Sequence, residues 1–374
     1  MQPSFVQTAA AGKAWLIEAM LPLWSTAGFD ERTGQFVEAL TLAGEPLPLP
    51  RRTLVQARQM FVVCAGGRLG WAGPWRERAS AAGEVLLARG RSDAGDWIYS
   101  FDTDGAAAET RGDLYTQAFV IFGLAEAGRA LGRADFIAAA QATCARLETG
   151  WADSAGGFLE GEIAPHPGRQ NPHMHLLEAF LALHAATGDA ADLARAERMA
   201  ALFMSRLLTA PDYIPEEFDA GWRLIASGGA APGHQFEWAW LLGQLQRAGG
   251  TDRSATVRAL VAYGERYGID EAGFAVDEIW PDGAVKRASA RLWPQAERLK
   301  AALMRLDDGG MALAAAHQAA AALNVYLDVP EPGTWRDVRL ADGGGWSDGP
   351  APASSAYHIV SALQVLIETA EARR

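Results

Sequence analysis

The stretch "GDWIYSFDTDG", residues 95–105, decides the fold because the chain repeats its design. An aromatic residue enters a short extended piece, which closes in an Asp- and Gly-rich turn. The design recurs in "TGQFVEAL" (33–40), "GGFLEG" (156–161), "DYIPEEFDAGW" (212–222), "AGFAVDEIWPDG" (272–283) and "GTWRDVRLADGG" (333–344). Between the first aromatics, Phe36, Trp97, Phe158, Tyr213, Phe274 and Trp335, the intervals are 61, 61, 55, 61 and 61 residues. Self-similarity at a fixed period of this size marks a repeat architecture.

Between the markers lie Ala- and Leu-rich stretches with helical spacing, such as "DLYTQAFVIFGLAEAGRAL" (113–131) and "ADFIAAAQATCARLE" (134–148), two per unit and joined by Gly-containing turns. Each unit therefore reads as a helix, a brief hairpin and a helix. An open array of such units needs polar capping repeats, whereas six units suit closure. The expectation is an all-α (α/α)6 barrel of six helical hairpins, with short β-hairpins in the loops at one mouth. A chain of 374 residues otherwise suggests two domains, but a closed ring accounts for the length as a single domain over 1–374.

Composition narrows the function. With 49% hydrophobic and 21% charged residues there is ample core and little material for disorder. A formal charge of −12 argues against nucleic-acid or anionic-membrane partners, which need clustered Lys and Arg. Lys13 and Glu18 interrupt the apolar N-terminal run, so no signal peptide is read, and no window approaches the length of a membrane span. Cys64 and Cys144, far apart within helical segments, fit reduced structural thiols in a cytoplasm, and the expected assembly is a monomer or homodimer.

The repeat also predicts a site. Arg58, Tyr115, His175, His234, Trp293 and His358 follow their markers by 17 to 23 residues, so the period sends them toward one mouth of the barrel. Helix starts accompany them: Asn171 reads as a cap with Pro172 at the first helical position, and Ser354 or Ser355 reads as a cap before His358. His173 and His175 point to different helix faces, so only His175 is assigned to the pocket, and His173 to the rim or the scaffold. His234 with Glu237, and His175 with Glu178, are i, i+3 pairs in which a carboxylate can orient an imidazole. One pocket-facing imidazole per helix does not make the matched pairs of a metal site, so no metal and no other cofactor is expected. Glu178, Glu237 and Glu297 keep a glycoside hydrolase open as a rival, and a non-catalytic carbohydrate-binding protein is a second. Three convergent histidines favour proton transfer near neutral pH. Arg51 and Arg52 read equally as a solvated face or a phosphate clamp.

At "NPHMHLLEAF", "PGHQFEW", "RLWPQAE" and "DGPAPASSAYHIVSAL" the chain resembles the N-acylglucosamine 2-epimerase family, and more closely its D-mannose isomerase-like branch. The resemblance implies a metal-independent sugar isomerase or 2-epimerase acting on a monosaccharide through a cis-enediol, with D-mannose and D-fructose the expected pair and mannose 6-phosphate an alternative. By the same resemblance His234 and His358 are the acid/base pair, and His175 assists ring opening or binds an oxygen. Arg58, Tyr115 and Trp293 contact the sugar, and Glu237 orients a histidine. Apart from the resemblance, Asn171, Glu178 and Glu297 join Arg58, Tyr115, Trp293 and Glu237 in the expected substrate-binding set. Gln117 stands where many relatives carry histidine, which puts the polar contacts there in doubt. A single Trp in "RLWPQAE" departs from the tandem aromatic of the disaccharide epimerases.

Overall fold

The computed structural model describes residues 5–161, 168–210, 212–225 and 228–373. In chain order its α-helices are α1 (Phe5–Trp15), α2 (Leu21–Thr26), α3 (Thr53–Arg68), α4 (Trp75–Arg89), α5 (Leu114–Leu131), α6 (Ala134–Gly150) and α7 (Gln170–Thr187). They continue with α8 (Ala190–Leu202), α9 (Pro232–Arg247), α10 (Ser254–Tyr267), α11 (Leu292–Met304), α12 (Gly310–Leu327) and α13 (Ala353–Ala372).

Each aromatic marker feeds one of the odd-numbered helices from α3 to α13. These stand in a ring, α3 on α5, α5 on α7, and so on to α13, which packs back on α3. The even-numbered helices α4 to α12 lean on the inner helix before them, and α1 is the outer partner of α13. The fold is therefore the (α/α)6 barrel that the period predicts.

Sequence explains which helix goes where. Along α5 nearly every residue from Leu114 to Gly128 is buried, as expected for a helix that is apolar all round. In α10 only Val257, Leu260, Val261, Tyr263 and Gly264 are buried, an amphipathic stripe that suits the outer ring. Trp24 stacks on Trp335 at 4.8 Å and donates its indole N–H to Gly333 O, which seals the α1–α2 segment against the last hairpin. Cys64 and Cys144 are free and buried, and burial pushes both thiols up to about 12, so they act as packing residues. No described helix is long and apolar enough to cross a membrane.

A belt of very short strands closes one mouth. The backbone just before each inner helix pairs antiparallel with the next unit's hairpin: Arg51–Arg52 with Ser100–Phe101, Asp113 with Gly161, and Gly168–Arg169 with Glu217–Phe218. Ala230 pairs with Ile279, Ala290–Arg291 with Val338–Arg339, and Ala351–Pro352 with Ala39–Leu40, which returns the belt to its start. The belt also sets where the helices begin. Because Arg169 and Pro352 are held as strand, α7 starts at Gln170 and α13 at Ala353. Asn171, Ser354 and Ser355 therefore lie inside the first turn and are not the caps that the sequence suggests, and Pro172 is the third helical residue.

Two-residue strands have little stability of their own. A repeated side-chain clamp holds them. Gln56, Gln117, Gln235 and Gln295 are each the fourth residue of an inner helix, and each is fully buried or nearly so. Each accepts from a hairpin N–H and donates to the carbonyl of the same residue: Phe36 for Gln56 (2.8 and 2.9 Å), Trp97 for Gln117 (3.0 and 2.9 Å), Ile214 for Gln235 (2.9 and 2.8 Å) and Ala275 for Gln295 (2.8 and 2.9 Å). A primary amide offers the donor and acceptor of a strand neighbour, so it replaces one. In the third unit the position is His173, whose Nε2 accepts from Phe158 N–H at 3.0 Å, and in the sixth it is Ala356. His173 is thus part of the scaffold and buried, not at the rim, and Gln117 belongs to the clamp.

Two variants test the clamp. Gln117→Ala leaves a buried N–H and a buried carbonyl without partners and should lower the unfolding free energy by about 2–4 kcal/mol in urea titration, with Gln117→His losing less. Burial depresses the pKa of His173 from 6.5 to about 4. Between those values the unfolded chain binds the extra proton and the folded one does not, so stability falls as pH drops through that window. His173→Gln should flatten the fall by about one proton, and an unchanged slope would contradict the assignment.

Candidate active site

The ring aims two layers of inner-helix residues at its axis on the belt side. The second residues of the six helices are Leu54, Tyr115, Asn171, Gly233, Trp293 and Ser354, and the sixth are Arg58, Phe119, His175, Glu237, Glu297 and His358. A cavity of about 310 Å³ lies between them, lined by Arg58, Tyr115, Asn171, His175, His234, Glu237, Trp293 and His358 together with Arg52, Leu54, Arg291, Asp337, Pro352, Ser354 and Ser355. One turn deeper, the ninth residues, Phe61, Phe122, Glu178, Trp240, Lys300 and Ser361, line a separate cavity at the opposite end of the barrel.

The six residues expected to be equivalent do meet, but at three helical positions. Arg58, His175 and His358 share the sixth place, Tyr115 and Trp293 the second, and His234 the third. Distance counted from the marker blurs these positions because the hairpins differ in length. Glu178 and Glu297 are corrected more substantially: neither lines the substrate-side cavity, and both lie behind histidines. Glu178 is also the ninth residue of its helix and not the counterpart of Glu237 and Glu297 at the sixth.

Each cavity imidazole is held at Nδ1 by a carboxylate. His175 Nδ1 lies 2.9 Å from Glu178 Oε2, and Glu178 in turn accepts from the Tyr357 hydroxyl. His358 Nδ1 lies 2.7 Å from Glu297, which an ammonium hydrogen of Lys300 approaches on its other side, with Nζ 2.7 Å from Oε2. His234 Nδ1 lies 2.8 Å from both oxygens of Glu216. The Gln170 amide nitrogen sits equally close to that Nδ1, but as a donor it is satisfied by Glu216 at 3.1 Å, while the Trp238 indole N–H fixes Gln170 Oε1 at 2.7 Å. With Nδ1 donating to a carboxylate, the tautomer that remains carries its lone pair on Nε2.

Glu237 is therefore not the residue that orients His234. It lines the cavity, is 1% exposed, and neither of its oxygens has a hydrogen-bond partner among the described residues. Burial, with the nearby charge of Glu297, holds its pKa well above the ordinary carboxyl value and so favours its neutral form at the cavity wall, 3.9 Å from His175 Nε2. Burial depresses His175 to about 4, and burial with the charges of Arg58 and Lys300 holds His358 well below its ordinary value. Lys300 itself stays charged: burial acts to lower its pKa, but the charge of Glu297, with that of Glu178, outweighs that effect.

Arg58 donates to Ser354 O at 3.0 Å and to the Tyr115 hydroxyl at 2.7 Å, with its guanidinium 4.0 Å above the Phe119 ring. It makes no ion pair with Glu178, Glu237 or Glu297 among the described residues, which leaves its charge directed at the cavity. Trp293 lies against both His234 (4.8 Å between centroids) and His358 (5.6 Å). It fits there because residue 233 is glycine: a Cβ at that position would stand 2.5 Å from the Trp293 ring.

Sequence reasoning missed Glu216, Lys300, Tyr357 and Asp337. Lys300 was findable, since it lies i+3 from Glu297, and Glu216 sits within a recognised marker. Glu237, Glu297 and His358 bring ligand atoms within 4.8 Å of one another, a spacing a metal could bridge, but the Lys300 ammonium already supplies positive charge to Glu297.

Residues 34–362 match the model of the family described as N-acylglucosamine 2-epimerase. The chain is 37% identical over 368 residues to the mannose-6-phosphate isomerase of Rhizobium meliloti (strain 1021), covering 94% of this chain and 95% of that protein. It is 31% identical over 236 residues to the D-mannose isomerase of Thermobifida fusca, covering 55% and 56% of the two. A crystal structure of a D-mannose isomerase superposes with a TM-score of 0.90 over 99% of this chain and 100% of that one at 20% identity, a likeness of fold.

Two substitutions away from the imidazoles should each reduce turnover. Glu216→Ala is expected to lower kcat on the order of 10- to 100-fold with little change in KM, because it frees the His234 ring, whereas Glu216→Gln should retain part of the rate. Gly233→Ala should displace Trp293 and depress kcat/KM by at least about tenfold, and wild-type kinetics in that variant would contradict the packing described.

Proposed function

The chain belongs to the N-acylglucosamine 2-epimerase family, and from that membership together with the paired imidazoles we propose that it isomerises a free aldose, D-mannose, to its ketose, D-fructose. The observation that carries the proposal is that His234 and His358 both line the cavity beside Trp293, each with Nδ1 bound to a carboxylate. A cavity of about 310 Å³ suits a single sugar unit.

In the proposed reaction the sugar lies on Trp293 with C1 and C2 between the two imidazoles. His175 assists ring opening. One of His234 and His358 removes the C2 proton while the C1 carbonyl oxygen gains one, which gives a cis-enediol. Return of a proton to C1 with loss of the O2 proton yields the ketose. Arg58 and the neutral Glu237 face the oxygens on which charge develops, and such prearranged donors in a water-poor site are where the acceleration arises. Asn171, whose Oδ1 is buried without a partner among the described residues, and Tyr115 bind hydroxyls. Protonation at C2 from the opposite face would give the 2-epimer, and a second imidazole beside the same indole supports that as a companion outcome. A glycosidase needs two carboxyl groups facing the scissile bond. The engagement of Glu178 and Glu297 by histidines favours imidazole chemistry instead.

Proton NMR of D-mannose with the EDTA-treated protein in D2O tests the proposal. Fructose carrying solvent deuterium is expected, with loss of C2-proton exchange by about 10²- to 10⁴-fold in His234→Ala and His358→Ala. Wild-type exchange in both variants, or no change in any sugar, would overturn it.

A further inference from the structure

Glu38, Tyr99, Glu160, Glu216, Asp277 and Asp337 hold the same place in the six hairpins, and all but Tyr99 accept a hydrogen bond from the start of their own inner helix. In three units an arginine precedes the helix and neutralises that acid. Arg52 pairs with Glu38, Arg169 with Glu160 at 2.8 Å, and Arg291 with Asp277 at 2.9 Å. In the fourth unit Glu216 holds His234. The sixth unit breaks the pattern because Pro352 stands where the arginine would be. Asp337 forms no ion pair among the described residues. One of its oxygens accepts from the Ser355 hydroxyl at 2.8 Å, and the residue lines the cavity beside Trp293, Ser354 and Ser355.

We propose that Asp337 is a specificity-determining residue, whose carboxylate accepts sugar hydroxyls and repels an anionic substituent, so that the site takes a neutral aldose in preference to its phosphate ester. The proposal rests on the isomerase reading of the same cavity and names the substrate class within it. Relatives named for free mannose and for mannose 6-phosphate make the question a real one.

The surrounding charges agree. A phosphate is usually gripped by arginine forks or helix N-termini with charge to spare. Arg52, Arg169 and Arg291, the three arginines that precede inner helices, are each matched by their own hairpin carboxylate. Arg51, the other half of the suspected clamp, is bound to Asp30 at 2.7 Å. Arg58 lies deeper, held by Ser354 O and Tyr115. A phosphate entering this mouth would meet the Asp337 carboxyl, which has no ion pair among the described residues, and of the arginines that line the cavity only Arg58 has no carboxylate partner among the described residues. Like charges brought together in this way oppose the wrong ligand more than they help the right one, which is how specificity is commonly built.

The test compares kcat/KM for D-mannose and mannose 6-phosphate in the wild type, Asp337→Asn and Asp337→Ser. Asn retains an acceptor for Ser355 and removes only the charge, and Ser guards against a variant that fails to fold. The wild type should prefer mannose, and both variants should shift the ratio toward the phosphate by about tenfold or more, through KM more than kcat. A ratio unchanged within about twofold, or a wild type that already prefers the phosphate, would overturn the proposal. If wild type turns over neither sugar, the isomerase reading fails separately. Calorimetric affinities for mannitol and mannitol 6-phosphate then decide the role of Asp337: a charge-dependent preference for mannitol supports it, and equal affinities in wild type and Asp337→Asn refute it.

Discussion

A buried side-chain amide that acts as a strand neighbour is the interaction on which this architecture depends. Strands of two residues cannot hold a register by themselves. Gln56, Gln117, Gln235 and Gln295 bind both main-chain groups of one hairpin residue and so tie each hairpin to the first turn of its own helix. The belt then ties each of those turns to the next unit. Because the clamp, where it is present, is the fourth helical residue, the second and sixth residues of those units are carried to the axis, and side chains far apart in sequence arrive at one depth; in the sixth unit, with Ala356 at that place, the belt strand Ala351–Pro352 sets the helix start.

The site follows from what occupies those two layers. Three sixth positions carry Arg58, His175 and His358, two carry Glu237 and Glu297, and Phe119 closes the ring beneath Arg58. Removing so many ionisable groups from water is costly unless each has a partner or gives up its charge. Most have partners: Glu178 with His175 and Tyr357, Glu297 with His358 and Lys300, Glu216 with His234. Glu237 lacks one and becomes neutral instead. The carboxylates under the histidines therefore serve the fold and the chemistry together, since the contact that satisfies a buried charge also selects the imidazole tautomer.

Much of this was legible in the amino-acid order. The period near sixty residues specified six helical pairs and the closed ring, and it brought Arg58, Tyr115, His175, His234, Trp293 and His358 to one mouth. The contact between His175 and Glu178 was legible too, because both lie on one helix at i, i+3. The same rule misassigned Glu237 to His234. The actual partner, Glu216, lies on the preceding hairpin, and the partner of His358 lies 61 residues away on α11. Helical periodicity describes neighbours within one helix and is silent about pairs made by closure. The role of Gln117 was left open for a related reason: a lone polar residue shows no partner until the same position is lined up in all the helices, where its place in the clamp becomes plain.

The central claim is that a carboxylate behind each histidine sets which ring nitrogen faces the substrate. Nitrogen-15 NMR of the histidine side chains at neutral pH, with signals assigned through His358→Gln and His234→Gln, measures this directly. The account predicts a neutral ring for His358 with hydrogen on Nδ1 and an unprotonated Nε2, and a hydrogen on Nδ1 of His234. A hydrogen on Nε2 with a bare Nδ1 at either residue, or a charged imidazolium at His358, would contradict it.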